Sequence, residues 1–503
     1  MKTTLTILST LLTCALALSM GCEKGTSPWE PNGTDADSDG DSDGDTDVDS
    51  DSDVDTDTST DPEADNDGDG LSNGFEEENG TDPNDADSDD DGVSDFVEWV
   101  AGTDPNDATS NPAAEGNFYF LEPYGDPPDP SEDTLVFATD IQMADVFFNM
   151  DTTGSMGGEI ANLKSSLSDT IIPGVQLIIP DVWFGVGNFD DYPYGSYGYA
   201  SSGDEVFSLH QMMTDDEELA QTAVNSLTSH FGGDGPESDV PALFAIATGN
   251  DFGAYLPEQT SCPDGFIGYP CFRPGAVPII IHITDSSFHN GPSDYSPYAG
   301  VDPTPPTYLE TVEVLNDIHA KVLTIYSTEG DDPAMVLSHC QAISNDTGAA
   351  TDTGPLTFLI GGDGSGLGTE VVNAVASLAN GVPMDMSVVA RDDTTDGVDA
   401  TVFIDRIVPN TTGGVEDPLD PTVVCFGGLA TADTDDDTYA DTFIDVLPGT
   451  PVCFDIIPKQ NDTVEPTDEP MIYMAYIDVI GDSVTVLDTR QVYFLVPPIG
   501  IIE

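Results

Sequence analysis

Three oxygen-bearing residues stand close together at Asp151, Thr153 and Ser155, in the run Asn149-Met150-Asp151-Thr152-Thr153-Gly154-Ser155-Met156. One carboxylate and two hydroxyls suit a hard cation, Mg²⁺ or Ca²⁺, because such ions take oxygen ligands. The residues before them, Val146, Phe147 and Phe148, form the apolar run expected of a strand buried on both faces. Gly154 permits a sharp turn, and 159–170 has the spacing of an amphipathic helix. The oxygens therefore belong at the carboxyl end of a strand, where open α/β sheets bind ligands. A second apolar run, 278–284, ends in Asp285. Between the two lies Gly232-Gly233-Asp234-Gly235-Pro236-Glu237, followed by a helical pattern over 239–248.

These three loops, in this order, resemble the metal-ion-dependent adhesion site of von Willebrand factor type A domains, whose first loop reads D-x-S/T-x-S. The resemblance implies Asp151, Thr153, Ser155 and Asp285 as ligands. The middle loop, Asp-x-Pro-Glu, is similar to the integrin β-subunit version, in which the Glu reaches the central metal and helps hold a neighbouring one. That adds Glu237 to the central site and implies a second ion at Asp234 and Asp191, the latter within Asn188-Phe189-Asp190-Asp191. Gly232 stands where integrins have an Asn ligand. A third integrin site uses two adjacent acids, but here only Glu159 is acidic and Gly158 is not, so that site is expected to be weak or absent.

The elements that must position these loops follow from hydrophobic period. Strands are expected at 145–150, 182–187, 278–284, 321–326 and 356–360. Helices are expected at 159–170, 216–229, 239–248, 308–319, 333–345 and 368–379. Such alternation specifies an α/β fold, a doubly wound, mainly parallel sheet spanning 140–382. Insertions at 250–276 and 286–306 lie on the metal side. Tyr192, Tyr194, Tyr197 and Tyr199 crowd the loop after the strand at 182–187, either to meet a partner or to cover the domain's own loops. Residues 383–503 read as turn-rich strands, including 402–404, and hence as an all-β sandwich. Two further strands, 117–121 and 134–138, fall in 113–139. In integrin β-subunits the type A domain is inserted into a β-sandwich, so these two are expected to pair with strands of 383–503.

Towards the N-terminus, 65–112 contains two loops of the form D-x-D-x-D-G-x₅-E, beginning at Asp65 and Asp87. Alternating carboxylates converge on one centre, Gly allows the turn, and the final Glu binds through both oxygens. The expected Ca²⁺ ligands are Asp65, Asp67, Asp69, Leu71 (through its carbonyl) and Glu76, then Asp87, Asp89, Asp91, Val93 (likewise) and Glu98. The unit recurs after 22 residues, with matching tails at Gly80-Thr81-Asp82-Pro83 and Gly102-Thr103-Asp104-Pro105. No helix-forming sequence precedes the first loop, so the pair resembles bacterial thrombospondin type 3 repeats more than EF-hands. A further acidic loop at 433–437 lacks the Gly of the pattern.

The chain has 503 residues, with 9 Lys+Arg against 95 Asp+Glu and a formal charge of −86. That balance argues against nucleic acid or anionic lipid as partners. Residues 1–21 read as a signal peptide, with Lys2 ahead of an apolar run over 5–18. Gly21-Cys22 resembles a bacterial lipoprotein processing site, which implies lipidation of Cys22 and membrane attachment through the lipid alone. Glu23 is not the Asp that signals inner-membrane retention, which favours the outer membrane and the cell surface. Residues 22–64 form an Asp-rich stalk that cannot bury a core. In an exported protein cysteines pair where geometry allows. Cys262 with Cys271 and Cys425 with Cys453 are the expected disulfides, and Cys340 is expected as a buried apolar residue.

The function expected from all this is a metal-dependent adhesion or ligand-binding lipoprotein. Its ligand would be a protein or polysaccharide with an exposed carboxylate. The alternatives are a calcium-stabilised structural envelope protein and a metal-dependent hydrolase. No Ser-His or Cys-His pair stands out, so no catalytic residue is assigned; His282 or His289 beside the metal would favour the hydrolase.

Overall fold

The computed structural model describes residues 62–498 except Glu329, Asp331, Asp468 and Glu469. The expected signal peptide, Cys22 and stalk residues 22–61 lie outside the described residues. Among the described residues no helix is long and apolar enough to cross a membrane.

The middle of the chain is built on a six-stranded sheet in the order Thr357–Leu359, Lys321–Tyr326, Val277–Thr284, Met143–Asp151, Asp181–Phe189, Ser208–Thr214. The first five strands are parallel to their neighbours and the last is antiparallel. Residues 208–214 were not anticipated as a strand. At the sheet edge they are mostly half-buried, so Ser208, His210 and Gln211 are tolerated and no apolar run marks them. Strand 143–151 is central and buried at all but its first position. Its alternation sends Val146, Phe148 and Met150 into one core and Phe147 into another. Helices Gly157–Ser166, Glu217–Ser226 and Leu367–Gly381 close the first core. Helices Asp239–Thr248, Tyr308–Asp317 and Pro333–Asp346 close the second. The expected helix at 159–170 changes to a π turn at Leu167–Ile171 and resumes at Ile172–Gln176, where Pro173 sits in the first turn.

The flanking segments are stitched together across the chain. Strand Phe118–Leu121 pairs in parallel with Thr485–Val496, and Asp133–Phe137 pairs antiparallel with Val452–Pro458. The first belongs to a second six-stranded sheet and the other to a three-stranded one. The two meet through side chains, with Phe443 edge-on to Phe454 at 5.1 Å. Residues 400–403 form a 3-10 turn rather than the start of a strand, because the Asp399 carboxylate accepts from the Thr401 N–H and Phe403 turns into the core. The strand begins at Ile404. Ile141, Val382 and Met384 lie together with Val277 and Lys321. Both crossings into the central sheet are thus at the amino ends of its strands, away from Asp151.

A fragment of 383–503 lacks the partners of two sheets. It is expected to show no cooperative urea transition, because strand edges at 452–458 and 485–496 lose their ladders. Restoring 113–139 through a short linker in place of 140–382 should recover one. A cooperative transition of 383–503 alone would refute this dependence.

Candidate functional site

Asp151 ends its strand, and the turn after it brings Thr153 back onto the carboxylate. Oδ1 accepts from the Thr153 N–H at 2.9 Å and from Thr153 Oγ1 at 2.7 Å. Oδ2 accepts from Thr284 Oγ1 at 2.8 Å. Ser155 Oγ donates to Asp285 Oδ1 at 3.0 Å, across 130 residues. Glu237 is held strand-like beside the segment after Asp285. Its N–H donates to the Ser287 carbonyl and its carbonyl accepts from the His289 N–H, both at 2.9 Å. The five residues expected at the central site are therefore brought together.

Asp151, Glu237 and Asp285 are all buried. Burial pushes the Asp151 carboxyl well above the usual range, and Asp285 and Asp239 push it further. Burial does the same to Glu237, helped by Asp151 and Asp191. Glu237 Oε2 has no hydrogen-bond partner. Crowded, desolvated carboxylates of this kind call for a proton or a cation. Thr153, Ser155, Glu237, Ser286 and the exposed Phe231 line a cleft of about 240 Å³. A donor set of carboxylate and hydroxyl oxygens around an open cleft fits a hard divalent cation.

Sequence reasoning missed two supports of this site. Thr284 steadies Asp151, and Asp239 Oδ1 accepts from His282 Nε2 at 2.9 Å. The signal for Thr284 was its place just before Asp285 at a strand end. His282 also meets Asn149 Nδ2 at 3.0 Å and stacks on Phe189. Burial lowers its pKa to about 3, so it is a neutral prop beneath the site.

A second cluster adjoins the first. Asp191 is buried; its Oδ1 accepts from the Tyr192 N–H at 2.6 Å and from the Tyr298 hydroxyl. Its Oδ2 has no hydrogen-bond partner and lies 3.5 Å from His289 Nε2. Asp234 Oδ1 lies 3.2 Å from the same nitrogen. Gly232 has φ +65°, and a Cβ there would come within 2.8 Å of Glu237 Oε1. The Asn that the integrin resemblance would place at 232 would need this left-handed φ and would displace the Glu237 carboxylate. Gly158 packs against the backbone of Asp363, within 2.7 Å of where a Cβ would stand, so the second acid of a third site has no room. Of the four tyrosines, Tyr192 is buried against Tyr255 and Tyr298, Tyr197 packs on His289, and Tyr194 and Tyr199 are exposed.

The two repeats form matching loops. Asp87 accepts from the Asp91 and Gly92 N–H groups and Asp91 accepts from Val93. Asp65 accepts from Gly68 and Gly70, Asp67 from Asp69, and Asp69 from Leu71. One oxygen each of Asp65, Asp67 and Asp69 lie within 4.8 Å of one another, and so do those of Asp87, Asp89 and Asp91. Glu76 and Glu98 are buried beside them, with both oxygens of Glu76 and Oε2 of Glu98 lacking hydrogen-bond partners. These orphaned oxygens fit Ca²⁺ ligation. Gly80 caps the short helix Asn73–Asn79 at φ 92°. The acidic loop at 433–441 repeats the arrangement of 87–95. Asp433 accepts from Asp437 and Thr438, Asp437 from Tyr439, and Asp441 from Thr434, as Asp95 does from Ser88. Thr438 takes φ 87°, close to the 97° of Gly92. Ile444 stands where the repeat has Glu98.

Both expected disulfides are formed, Cys262–Cys271 and Cys425–Cys453, and Cys340 is buried and free.

Comparison with known proteins gives one family match. Residues 65–86 and 87–108 each match the model of the Bacterial TSP3 repeat. No curated protein matches the chain. Among solved structures it is similar to von Willebrand factor type A from Catenulispora acidiphila, at 13% identity and a TM-score of 0.32 over 75% of this chain and 71% of that one. It is also similar to the pilus adhesin SpaC from Lactobacillus rhamnosus GG in its open conformation, at 13% identity and a TM-score of 0.29, covering 72% of this chain and 48% of that one. A second form of SpaC gives 12% and 0.30, with 49% of that chain covered. The chain thus spans about half the length of the pilus adhesin. Likeness at these TM-scores carries no argument, so what stands is a mixed α/β chain carrying two repeats similar to bacterial TSP3 units.

Proposed function

We propose that this chain is a metal-dependent adhesion or ligand-binding protein that engages an acidic group of its partner at the Asp151 cluster. The observation that carries the reading is a set of buried carboxylates, Asp151, Glu237 and Asp285, opening with Thr153 and Ser155 onto a solvent cleft. A divalent cation bound there supplies a coordination position for a partner's carboxylate oxygen. Asp151 and Asp285 supply the charge that retains it, and Thr284 holds Asp151 in place. Phe231, 64% exposed at the rim, offers apolar contact beside the charge. In this reading 140–382 is a von Willebrand factor type A domain with an integrin-β-like site. It is inserted into a β-sandwich made by 113–139 and 383–503. The partner is a protein or polysaccharide with an exposed carboxylate, and nucleic acid is disfavoured by the charge of −86.

Localisation is part of the proposal: export, lipidation at Cys22, and presentation at the outer membrane on an acidic stalk. We also infer that the chain is not an enzyme. His282 is buried and neutral, and His289 is buried with its Nε2 facing Asp191 and Asp234, so neither ring is free to act as a base on a substrate in the cleft. The repeats favour a second reading, a structural envelope protein in which Ca²⁺ serves only to fold the chain.

One experiment separates the two. Full-length protein is used to capture partners from neighbouring cells and matrix, with Mg²⁺ or with chelator, beside Asp151→Ala and Asp285→Ala. Capture should require the ion and fall at least tenfold in both variants, with the fold intact by circular dichroism. Equal capture by Asp151→Ala and the parent would overturn the adhesion reading.

A further inference from the structure

The imidazole of His289 faces two carboxylates through its Nε2. Its Nδ1 lies 2.6 Å from the Ser296 carbonyl oxygen, which can only accept, so Nδ1 carries the hydrogen. Nε2 is then a lone pair open to a cation, or the second N–H of an imidazolium. It lies 3.2 Å from Asp234 Oδ1 and 3.5 Å from Asp191 Oδ2. One ligand atom from each of the three residues falls within 4.8 Å of the others. His289 and Asp191 are both buried, and Asp191 Oδ2 has no hydrogen-bond partner. Three electron-rich atoms held this close repel one another unless a positive charge lies among them.

We propose that Asp191, Asp234 and His289 bind a transition-metal ion of the Zn²⁺ or Mn²⁺ type, with the His289 imidazole as a ligand. The proposal rests on the reading of the neighbouring Asp151 cluster as a cation site, and goes beyond it in metal class. Ca²⁺ and Mg²⁺ take oxygen ligands, whereas an imidazole nitrogen beside carboxylates suits Zn²⁺, Mn²⁺ and Co²⁺. A metal-bound imidazole typically donates its other N–H to a backbone carbonyl, which is the bond His289 makes to Ser296. The ring is already fixed, 4.3 Å from Tyr298 and 5.0 Å from Tyr197 between centroids. The need for a ligand is also plain. Residue 232 is a glycine and offers no side-chain ligand, and His289 approaches from the 286–306 insertion instead. An ion here would brace Glu237, whose backbone is paired with Ser287 and His289. It would thereby tighten the central site.

The test uses the full chain, stripped of metal and then saturated with Ca²⁺ and Mg²⁺, titrated with Co²⁺ as a visible probe. The parent should develop a ligand-field band. His289→Gln should weaken Co²⁺ binding beyond about tenfold, since even outer-shell partners of a metal are worth 10–100-fold. Asp234→Asn should do the same, and its carboxyl is 38% exposed, so the change does not threaten folding. Asp151→Ala should keep the band. Co²⁺ binding that is equal in the parent, His289→Gln and Asp234→Asn would overturn the proposal, as would its absence from the parent, which leaves a proton as the charge between the aspartates. The two readings fail separately. Loss of the cobalt band from the parent leaves Mg²⁺-dependent capture through Asp151 untouched, whereas Asp151→Ala without effect on capture removes the adhesion reading and leaves the cobalt result standing.

Discussion

Chelation of Ca²⁺ at pH 8 is expected to unfold residues 65–107 and leave the central sheet intact. The repeats hold little apolar surface. Val97 is fully buried and Leu71 nearly so, but Trp99 is 51% exposed and meets Phe75 edge-on at 5.1 Å. Against this stand Glu76 and Glu98, buried and each pushed up to about 8 by burial first and by Asp67 and Asp91, respectively, next. Asp69 is pushed up to about 7 by burial. The folded repeats therefore hold protons that the unfolded chain, with ordinary carboxyl values, has released. Stability of the calcium-free repeats is full below about pH 4.5, falls as pH rises, and is lost above 8. Ca²⁺ replaces those protons, and at 100 times its Kd contributes about 2.7 kcal/mol per site. Limited proteolysis and Trp99 fluorescence between pH 5 and 9 should show a steep pH dependence with chelator and a flat one with Ca²⁺. Calorimetry at pH 7 in buffers of different ionisation heat should register proton release on Ca²⁺ binding. Cleavage within 65–107 that is the same with and without Ca²⁺ at pH 8 would contradict the calcium role.

Arg273→Ala is expected to destabilise the central sheet by about 3–5 kcal/mol, the scale of leaving one member of a buried ion pair alone. Arg273 spends one of only 9 basic residues beneath the strands. Its Nε reaches Asp145 Oδ1 at 2.7 Å and its backbone N–H reaches Oδ2 at 2.6 Å. Nη1 bonds Asp181 Oδ1 at 2.7 Å and Nη2 the Ala144 carbonyl at 3.0 Å, with the guanidinium 4.5 Å over Trp183. Asp145 is fully buried, and burial already raises its carboxyl despite Arg273. Without the guanidinium the folded value rises further, so the variant should recover stability as pH falls through the acid range. Urea unfolding followed by Trp183 measures the loss. Below about 1 kcal/mol, the pair would count as an exposed one.

Much of the site was legible because its parts are local. Asp151, Thr153 and Ser155 lie within five residues, so one turn aligns them, and each calcium loop spans twelve. The buried strands announced themselves as apolar runs, and the pairing of 118–121 and 133–137 with late strands was expected from the resemblance, in keeping with two strands being too few to stand alone. The edge strand 208–214 was silent because half-buried positions need no apolar pattern. The Thr438 turn carried no signal because a left-handed residue is only favoured, not required, to be glycine. Arg273 carries no local signal at all. Its partners lie 92 and 128 residues away.

The sequence by itself determined which residues can offer oxygen atoms, which runs are buried, and where the two acidic repeats begin, since composition and period act within a turn or a strand. Only the tertiary structure decided that Ser155 meets Asp285, that Glu237 lies beside Ser287, and that His289 faces Asp191 and Asp234. Those meetings depend on sheet order and on the path of the 286–306 insertion. Periodicity reports that a face is buried, and is indifferent to which distant segment buries it.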